Sequence, residues 1–369
     1  MNRRVPLKGG PAATALPVAR AEVGQTLVLV SANPTNNYYH VAYPTGQQSW
    51  IYKGFVSLQP GPPPDTVAPP PAGSLKVHVI NVGQGDATLI VCPDGDHQLL
   101  IDTGDTRYPG AKQAFQNALS VLQSQDDPIE VVVATHPHAD HIGNMAWLLR
   151  QYQVVQYVDN GEVYNTATYR EVERTLTQRG VHRDHASTPG LKIKFCSRAD
   201  VSITVLAPSG FGESHNPNNN SVILRLDYGE DSLLFVGDAE DDEEEQLLAD
   251  AAIKPRLDCD FLKAGHHGSD TSSTEPFLDA VTPDVAVITP GEPNVGTNVG
   301  YKHPRRSTVD RLLAYVRPQP GPARSLRTYD ADAKRWTTTT VDRSLYSTSI
   351  DGDILVESNG RGITVRPDR

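Results

Sequence analysis

The chain has 369 residues and carries 33 Lys and Arg against 44 Asp and Glu, for a formal net charge of −11 at pH 7. This length suits one large domain with a small one, and the acidic balance argues against non-specific adhesion to nucleic acid or anionic membranes. Three widely separated cysteines form neither a disulfide framework nor a zinc knuckle, so we expect Cys92, Cys196 and Cys259 to be buried, reduced thiols.

The N-terminal 24 residues have a basic start but no continuous apolar stretch. They therefore predict no signal peptide and no membrane span, and we expect a cytoplasmic protein. A secreted protein whose leader has been removed would have the same sequence.

Residues 1–57 consist of short β-type runs, such as "QTLVLVSA" and "YYHVAYP", separated by Gly, Pro and Asn. This pattern predicts a small all-β barrel. Residues 58–74 hold seven prolines and no apolar periodicity, which is typical of a semi-rigid extended linker. We expect the rest of the chain, residues 75–369, to form the main domain.

From residue 75 onward, runs with strand character alternate with runs of helical spacing. Strands are predicted at "LKVHVINVG", "DATLIVCP", "HQLLIDTG", "IEVVVAT", "LKIKFC", "SITVLAP", "SVILRLDYG", "DSLLFVGDA", "DFLKAGHHGS" and "DVAVITPG". Helices are predicted near residues 110–124 and at "MAWLLRQY", "YREVERTLTQRG", "EEEQLLADAA" and "STVDRLLAYV". Two sheet-rich halves with interspersed helices predict an α/β (α+β) sandwich, and the last 45 residues predict a β tail. The acidic run "DAEDDEEE" predicts a solvated helix start.

The segment "VVVATHPHADHIGN", residues 131–144, places three histidines and one aspartate within six positions after a valine-rich run. Alternate side chains of an extended segment point the same way, so His136 and His138 are placed to bind one ion together. Asp140 and His141, after a turn, are placed to face a second ion beside it. Imidazole nitrogen and carboxylate oxygen suit Zn²⁺, Mn²⁺ or Fe²⁺.

Further metal-capable side chains follow other apolar strands. The run "LLFVGDAE" reaches Asp238, whose carboxylate is suited to bridge two ions, and "FLKAGHHGS" reaches His266 and His267. Consecutive residues on a strand point to opposite faces, so we expect one of these histidines to bind metal, and we favour His267. Asp102, at the end of "LLIDTG", is a candidate for orienting a metal-binding imidazole or else a turn aspartate.

These motifs resemble a known family. "HPHADH" has the His-x-His-x-Asp-His pattern of metallo-β-lactamase fold hydrolases, and "INVGQGDATLI", "NNNSVILRLDYGEDSLLFVGDAE" and "LKAGHHGSDTSS" are similar to the nuclease domain of ComEC-type competence proteins and their soluble relatives. The resemblance continues through "GYKHP" and "IDGDILVESNGRGITV" and covers most of the chain beyond residue 74. It implies an αββα sandwich with two divalent metal ions, Zn²⁺ or Mn²⁺, in a cleft between the sheets. Separately, "LKGGPAATALPV" and "YKGFVSL" resemble bacterial SH3-like modules.

The sequence departs from many lactamase and lactonase relatives at the third histidine of the first metal site. The corresponding region reads "GESHNPNNNSVIL", with His215 nearby and the asparagine–serine stretch of the ComEC-like pattern. We expect His215, Asn220 or a water to complete the first site. An oxygen-richer site would suit Mn²⁺ better than a fully nitrogenous one, so the metal stays open.

Two neighbouring cations lower the pKa of a bridging water to form a hydroxide nucleophile, and they clamp the oxygens of an in-line phosphoryl displacement. The same pair polarises a carbonyl, so the ligands alone do not select the reaction. Lys263 is a candidate phosphate contact, and Ser269 lies in a Gly-Ser turn suited to bind an anion. In the resembled family a histidine from the region of His303 approaches the substrate, to bind a non-bridging oxygen or protonate the leaving group. Asp140, Lys263 and His303 form the predicted catalytic group.

The favoured function is a metal-dependent phosphodiesterase or nuclease acting on DNA, RNA, a cyclic dinucleotide or a smaller phosphodiester. The acidic charge and the lack of a Lys/Arg-rich run with interleaved aromatics argue against long duplex DNA. The alternatives are a metallohydrolase of carboxylic esters, lactones or amides, and a non-catalytic metal-bound scaffold. The SH3-like module is expected to bind a cell-wall peptide or a protein partner.

Overall fold

The structure is a computed structural model. It describes residues 5–8, 17–21, 27–29, 35–36, 38–42, 48–52, 56, 73–122, 127–186, 188–208, 216–319 and 321–369. The described strands between residues 5 and 52 belong to one compact unit, and the elements from residue 75 onward belong to a second. Among the described residues, no helix has the length and apolar composition needed to cross a membrane.

The first unit contains an antiparallel sheet. Its described strands are β1 Val5–Lys8, β2 Pro17–Ala21, β3 Val28–Leu29, β4 Tyr38–Ala42 and β5 Gln48–Tyr52. They pair in the order β2-β1-β5-β4-β3, with Leu7, Val41 and Ile51 buried together. The SH3-like assignment, its peptide partner and the boundary at residue 57 stay predictions. The expected linker lies outside the described residues apart from Gly73 and Ser74.

Two large sheets form the second unit. The strands of the first sheet are β6 Leu75–Val79, β7 Thr88–Val91, β8 Gln98–Ile101, β9 Ile129–Val133, β10 Val154–Asp159, β11 His182–His185, β21 Ile354–Ser358 and β22 Ile363–Pro367. The strands of the second sheet are β12 Lys192–Ile193, β13 Val201–Ala207, β14 Ile223–Tyr228, β15 Asp231–Phe235, β16 Phe261–Lys263, β17 Val285–Ile288 and β20 Leu345–Ser347. The first sheet has the order β11-β10-β9-β8-β7-β6-β21-β22, and the second runs from β12 to β17 and ends with β20.

Helices cover the outer faces of these sheets. They are α1 Ala111–Leu122, α2 Ala139–Ile142, α3 Met145–Gln151, α4 Ala167–Arg179, α5 Asp241–Ala249, α6 Glu275–Val281, α7 Asn298–Tyr301, α8 Arg306–Tyr315 and α9 Thr348–Asp351. One buried cluster joins α1, α3 and α4 to the first sheet, and another joins α5, α6 and α8 to the second. A third cluster lies between the sheets. The unit is therefore a four-layer αββα sandwich, and the predicted fold class is confirmed.

Strand β9 shows why this sequence adopts a layered fold. Val131 and Val133 belong to the cluster between the sheets, whereas Ile129 and Val132 belong to the cluster beneath the helices. Successive strand residues point to opposite faces, so a nearly continuous apolar run is buried when both faces are covered. The parallel pairing of β9 with β8 and β10 is typical of strands covered in this way.

Three local predictions differ from the structure. The strand predicted at "LKIKFC" is reduced to β12, and the strand predicted at "DFLKAGHHGS" ends at Lys263. Helix α6 was not predicted, because its seven residues span less than two full turns of apolar pattern. The predicted C-terminal β tail is divided: β18 Arg324–Asp330 and β19 Arg335–Val341 form a separate hairpin, while β20, β21 and β22 join the two large sheets.

Cysteine pairing also differs from the sequence expectation. Cys92 and Cys196 form a disulfide across 104 residues, with their Cα atoms 5.9 Å apart, and Cys259 is buried and free. The expectation of three reduced thiols is therefore wrong for two of them. Cys92 follows β7 of the first sheet and Cys196 follows β12 of the second, so their proximity depends on how the sheets pack.

The acidic run at the start of α5 is partly buried. Helix α5 begins at Asp241, two residues before the predicted helix "EEEQLLADAA", and Glu243 and Glu244 are each 1% exposed. The carboxylate of Glu244 accepts hydrogen bonds from the amides of Ser273 and Thr274 at 2.6 and 2.9 Å. The expectation of a solvated helix start is wrong for these two glutamates, because the loop before α6 covers them.

Replacing Glu244 with glutamine is expected to remove a pH dependence of stability. Burial raises the pKa of Glu244 from 4.5 to about 7, against the opposing effect of its hydrogen bonds. The folded state then holds this proton more tightly than the unfolded state, so the free energy of unfolding falls as the pH rises from about 4.5 to 7. Relative to Glu244→Gln, the wild type should lose on the order of 3 kcal/mol over this interval in urea unfolding.

Asp241→Asn, at the exposed first position of α5, is the matched control and should keep the wild-type pH dependence. A stability difference between the wild type and Glu244→Gln that stays constant from pH 4.5 to 7 would contradict the burial argument.

Candidate metal centre

The candidate site is built from loops that follow parallel strands. Asp102 follows β8, His136 lies shortly after β9, Asp238 after β15 and His267 after β16. Strand β8 pairs in parallel with β9, and β15 with β16. The carboxyl ends of each pair therefore lie at the same edge of a sheet, where side chains of the following loops converge.

Four buried side chains meet at this edge, and we call them the buried quartet: Asp140, His141, Asp238 and His267. Each offers one ligand atom, and these atoms lie within 4.8 Å of one another. Three of the quartet's buried atoms have no hydrogen-bond partner, namely Nε2 of both histidines and Oδ1 of Asp238. Buried polar atoms are nearly always paired, and two imidazoles with two carboxylates match a divalent cation. The residues present therefore fit a metal ion.

A carboxylate orients each histidine of the quartet from behind. Nδ1 of His141 lies 2.7 Å from Oδ2 of Asp102, and Nδ1 of His267 lies 3.2 Å from Oδ1 of Asp86. Asp102 also accepts the amide and hydroxyl hydrogens of Thr135 at 2.8 and 2.7 Å. A proton held on Nδ1 leaves the Nε2 lone pair directed into the site. Asp102 occupies the orienting position expected from the sequence, and Asp86 is its counterpart, which the sequence analysis missed.

The electrostatics of the quartet favour a cation. Burial lowers the pKa of His141, but the carboxylates of Asp238 and Asp102 outweigh burial and raise that pKa well above its usual value. Asp238 and Asp86 raise the pKa of His267 in the same way, against burial. These carboxylates therefore stabilise positive charge at the imidazoles, and a metal ion that binds there must displace their protons.

Two of the other predicted ligands also lie close to Asp238. Nε2 of His136 lies 3.9 Å and Nε2 of His266 lies 3.8 Å from Oδ2 of Asp238. His138 is adjacent, with its Nδ1 3.0 Å from Nε2 of His136. The structure thus brings His136, His141, His266 and His267 within 3.9 Å of the Asp238 carboxylate, with His138 beside His136, an arrangement that would suit a carboxylate shared by two cations.

The turn after β16 differs from the sequence expectation. His266 and His267 lie in a 3-10 turn, Gly265–Gly268, and have left-handed φ angles of 46° and 53°. The expectation that they lie on a strand and point to opposite faces is wrong, since the turn brings both rings near Asp238. His267 belongs to the buried quartet, whereas Nδ1 of His266 lies 2.8 Å from Oε1 of Glu240.

The asparagine-rich segment contributes a residue that was not expected. His215 lies outside the described residues. The backbone oxygen of Asn220 accepts a hydrogen bond from Asn160 at 2.9 Å, and it is Asn218 that lines the cleft described below. Nδ2 of Asn218 donates to Glu240 at 2.9 Å, which leaves its buried Oδ1 without a hydrogen-bond partner. Asn218 is therefore a further candidate for the first metal site, and the expected role of Asn220 stays a prediction.

Two residues expected to contact phosphate are used inside the protein. Lys263 is 2% exposed, and its Nζ lies 2.7 Å from Oδ2 of Asp86. Ser269 is 4% exposed, and its hydroxyl bonds that of Thr271 at 3.0 Å. Both side chains thus already have polar partners inside the protein, and their phosphate contacts stay predictions. Lys263 holds the carboxylate that orients His267.

The quartet opens onto a polar cleft of about 270 Å³. Arg305 places a guanidinium on the cleft wall, 3.5 Å from the carboxylate of Asp270. Arg305 lies two residues after His303 in "YKHPRR" and was not among the predicted site residues. The lining residues are Gln84, His138, Asp140, Asn218, Asp238, His266, Gly300, Tyr301, His303 and Arg305.

His303 faces this cleft in a defined protonation state. Oε1 of Gln84 accepts the amide hydrogen of Gly291 at 2.9 Å, so the other end of the Gln84 amide donates to Nδ1 of His303 at 3.1 Å. His303 therefore carries its proton on Nε2. Burial lowers the pKa of His303 well below its usual value, and His266 and His267 add to this effect. The ring is neutral near pH 7 and offers one N–H donor.

The geometry agrees with the comparisons to known proteins. The sequence profile of the Metallo-beta-lactamase superfamily matches residues 80–292, more than half of the chain, and the chain belongs to this superfamily. A solved metallo hydrolase from the hyperthermophilic archaeon Ignicoccus hospitalis is 16% identical and covers 72% of this chain and 98% of that one. Its TM-score is 0.38, so the assignment rests on the profile match.

Within the superfamily, this chain is similar to competence and recombination proteins. Recombination protein 2 of Haemophilus influenzae is 31% identical over 245 residues, which cover 65% of this chain and 26% of that protein. Competence protein ComA of Neisseria gonorrhoeae is 28% identical over 274 residues, covering 73% and 33%. ComE operon protein 3 of Bacillus subtilis is 27% identical over 249 residues, covering 64% and 30%. The chain spans a quarter to a third of the length of these relatives.

Replacing Asp238 with asparagine is expected to abolish tight metal binding. The substitution removes the negative charge of the carboxylate that faces the imidazoles of the site. The affinity of the protein for Zn²⁺ or Mn²⁺ should therefore fall by at least about 100-fold. Isothermal titration calorimetry in two buffers of different ionisation enthalpy would measure both the affinity and the protons displaced. Asp241→Asn, on the exposed surface three residues away, is the matched control. Equal metal affinity in Asp238→Asn and the wild type would refute the candidate centre.

Lys263→Met distinguishes the observed position of Lys263 from the expected one. Removing one partner of a buried ion pair leaves Asp86 uncompensated, so the free energy of unfolding should fall by about 3–5 kcal/mol. Metal affinity should fall by about 10–100-fold, because Asp86 no longer holds His267 in position. Lys254→Met, at an exposed site, should change neither quantity. If the variant kept its stability and its metal affinity but bound a diester more weakly, this result would support a contact between Lys263 and phosphate.

Proposed function

We propose that this chain is a metal-dependent phosphodiesterase that hydrolyses nucleic acid or a smaller phosphodiester such as a cyclic dinucleotide. One observation carries the proposal: the candidate metal ligands around Asp238 share a cleft with the guanidinium of Arg305 and the neutral N–H of His303. A phosphodiester presents two non-bridging oxygens at the reacting atom, which is the pattern that a cation and an N–H donor recognise together.

Two divalent ions, when bound, supply an activated water near neutral pH and positive charge against the phosphate oxygens. The buried quartet would hold one ion, which its closely spaced ligand atoms support. His136, His138 and Asn218 would hold the other, and Asp238 lies near His136 as well as within the quartet. The carboxamide oxygen of Asn218 makes this first position oxygen-richer than an all-histidine one, which supports Mn²⁺ as well as Zn²⁺.

The other side chains act directly on the diester. Arg305 pairs with a non-bridging oxygen and orients the phosphorus toward Asp238. His303 donates a hydrogen bond from its Nε2–H to a phosphate oxygen that gains charge as the water oxygen bonds to phosphorus and the ester oxygen departs with the proton that the water gives up. Because His303 is neutral at pH 7, it binds that oxygen rather than transferring a full proton to it.

The named relatives support nucleic acid among the possible diesters. One is called a recombination protein and one a competence protein, and recombination acts on nucleic acid. The acidic net charge of −11 still disfavours a mode of binding that relies on wide electrostatic contact with long duplex DNA. We therefore place the specificity of the enzyme in the cleft rather than on a basic surface.

The test is hydrolysis by metal-stripped protein reloaded in parallel with Mn²⁺ and Zn²⁺. Bis-p-nitrophenyl phosphate should be cleaved once metal is restored, whereas a simple lactone and a β-lactam should remain intact. The reason is that the cleft pairs its metal ligands with a phosphate-binding cation. Turnover of the carbonyl substrates with no diester cleavage would overturn the proposal and favour the ester, lactone or amide hydrolase.

Two variants sharpen this assay. Asp238→Asn should be inactive because it lacks metal. His303→Gln should retain metal but hydrolyse the diester about 10²–10³-fold more slowly, as expected for the loss of one transition-state donor. His97→Gln, a half-exposed histidine paired with Asp94, is the matched control and should retain the wild-type rate.

A further inference from the structure

Tyr301 places an aromatic ring at the edge of the cleft. It ends α7, lines the cleft and is 43% exposed. The described residues include five large apolar side chains that are more than a third exposed, and of these five Tyr301 alone is aromatic and alone lines the cleft. An exposed ring beside a candidate catalytic centre is a surface on which a flat substrate group can stack.

The ring is held in place from behind. Its plane lies 25° from that of His303, with ring centroids 5.8 Å apart. Asn298, at the start of α7, accepts the amide hydrogen of His303 at 2.7 Å and donates to the His303 carbonyl at 2.7 Å. Helix α7 and the His303 loop are therefore joined, so little conformational entropy is lost when a group stacks on Tyr301.

Arg305 supplies a cation on the same wall of the cleft. Its guanidinium lies 5.2 Å from the centre of the Tyr329 ring, and its amide donates to the carbonyl of Gly268 at 2.8 Å. A stacking ring and a fixed cation thus stand on either side of His303 in the chain. Nucleobases stack on aromatic rings, and phosphates pair with guanidinium groups.

A protein ring on which a base stacks also selects unpaired bases over bases in a duplex. In a duplex, neighbouring base pairs cover both faces of each base, so a base must leave the stack before it can lie on a protein ring. The cleft volume of about 270 Å³ is below the range of roughly 300–1,000 Å³ typical of pockets that enclose a drug-sized ligand. Its size suits one diester link with a neighbouring base that has left the stack.

We infer that Tyr301 is a specificity-determining residue that stacks on an unpaired base next to the scissile phosphate, while Arg305 pairs with that nucleotide's phosphate. Single-stranded nucleic acid is then the preferred substrate. This inference rests on the proposed phosphodiesterase function and names the substrate class of the same site.

The experiment compares three end-labelled 12-mers with the full-length, metal-loaded protein: oligothymidylate, the same strand paired with oligodeoxyadenylate, and an abasic strand with the same phosphates but no bases. The wild type should cleave oligothymidylate at least about 10-fold faster than either of the others, because a stacked base contributes a factor of about 5–150. Tyr301→Ala should lower kcat/KM for oligothymidylate by about 10–100-fold. Its rate on the abasic strand should change by less than about 3-fold, since that strand has no base to stack.

Further variants test whether the effect comes from the aromatic ring of Tyr301, from its hydroxyl group or from its size. Tyr301→Phe should keep the preference for oligothymidylate, whereas Tyr301→Leu should lose it as Tyr301→Ala does. Val299→Ala is the matched control, because Val299 shares α7, is 56% exposed and does not line the cleft. It should behave as the wild type on all three strands, and thermal unfolding of each variant checks that it is folded.

Each result has a defined meaning. Equal cleavage of the abasic strand and oligothymidylate by the wild type would overturn the stacking role and leave the phosphodiesterase function intact. A loss in Tyr301→Phe as large as in Tyr301→Ala would assign the effect to the hydroxyl and also overturn stacking. Failure of the wild type to cleave any of the three strands, or bis-p-nitrophenyl phosphate, would refute the proposed function itself.

Discussion

The structure depends on the buried carboxylate of Asp238. Its Oδ2 atom lies within 3.9 Å of imidazole nitrogens from four histidines, namely His136, His141, His266 and His267. A buried charge is costly unless other groups compensate for it, and imidazoles do so either by holding protons or by sharing metal ions. Loops from both sheets end at this point. The chemistry of the site and the packing of the sandwich therefore both depend on positive charge beside this carboxylate.

Asp86 links the candidate metal site to the packing of the two sheets. It lies between β6 and β7 of the first sheet, and its carboxylate pairs with Lys263 of β16 in the second sheet at 2.7 Å. The same carboxylate lies 3.2 Å from Nδ1 of His267. Because a buried ion pair is strongly destabilising once one partner is lost, the orientation of a candidate ligand and the stability of the interface between the sheets are coupled.

One wall of the cleft differs in chemistry from the candidate metal ligands. The segment from Tyr301 to Arg305 presents a ring, an imidazole N–H and a guanidinium in sequence. Each is fixed by contacts with neighbouring residues, which join it to α7, to Gln84 and to the ring of Tyr329. A preorganised wall of this kind recognises substrate through a few fixed groups rather than through charge spread over a wide surface.

The sequence by itself determined a layered α/β sandwich and the grouping of His136, His138, Asp140 and His141, because strand periodicity and six-residue spacing are local properties. The αββα order of the layers was implied by the resemblance to metallo-β-lactamase fold hydrolases. The sequence also placed Asp238 and His267 at the ends of apolar strands. Only the tertiary structure decided that Asn218 rather than Asn220 faces the cleft, that Lys263 is buried against Asp86, that Arg305 is the available cation and that Cys92 meets Cys196. These outcomes depend on partners far away in the chain and on left-handed turns such as the one after β16, and neither can be read from residue spacing.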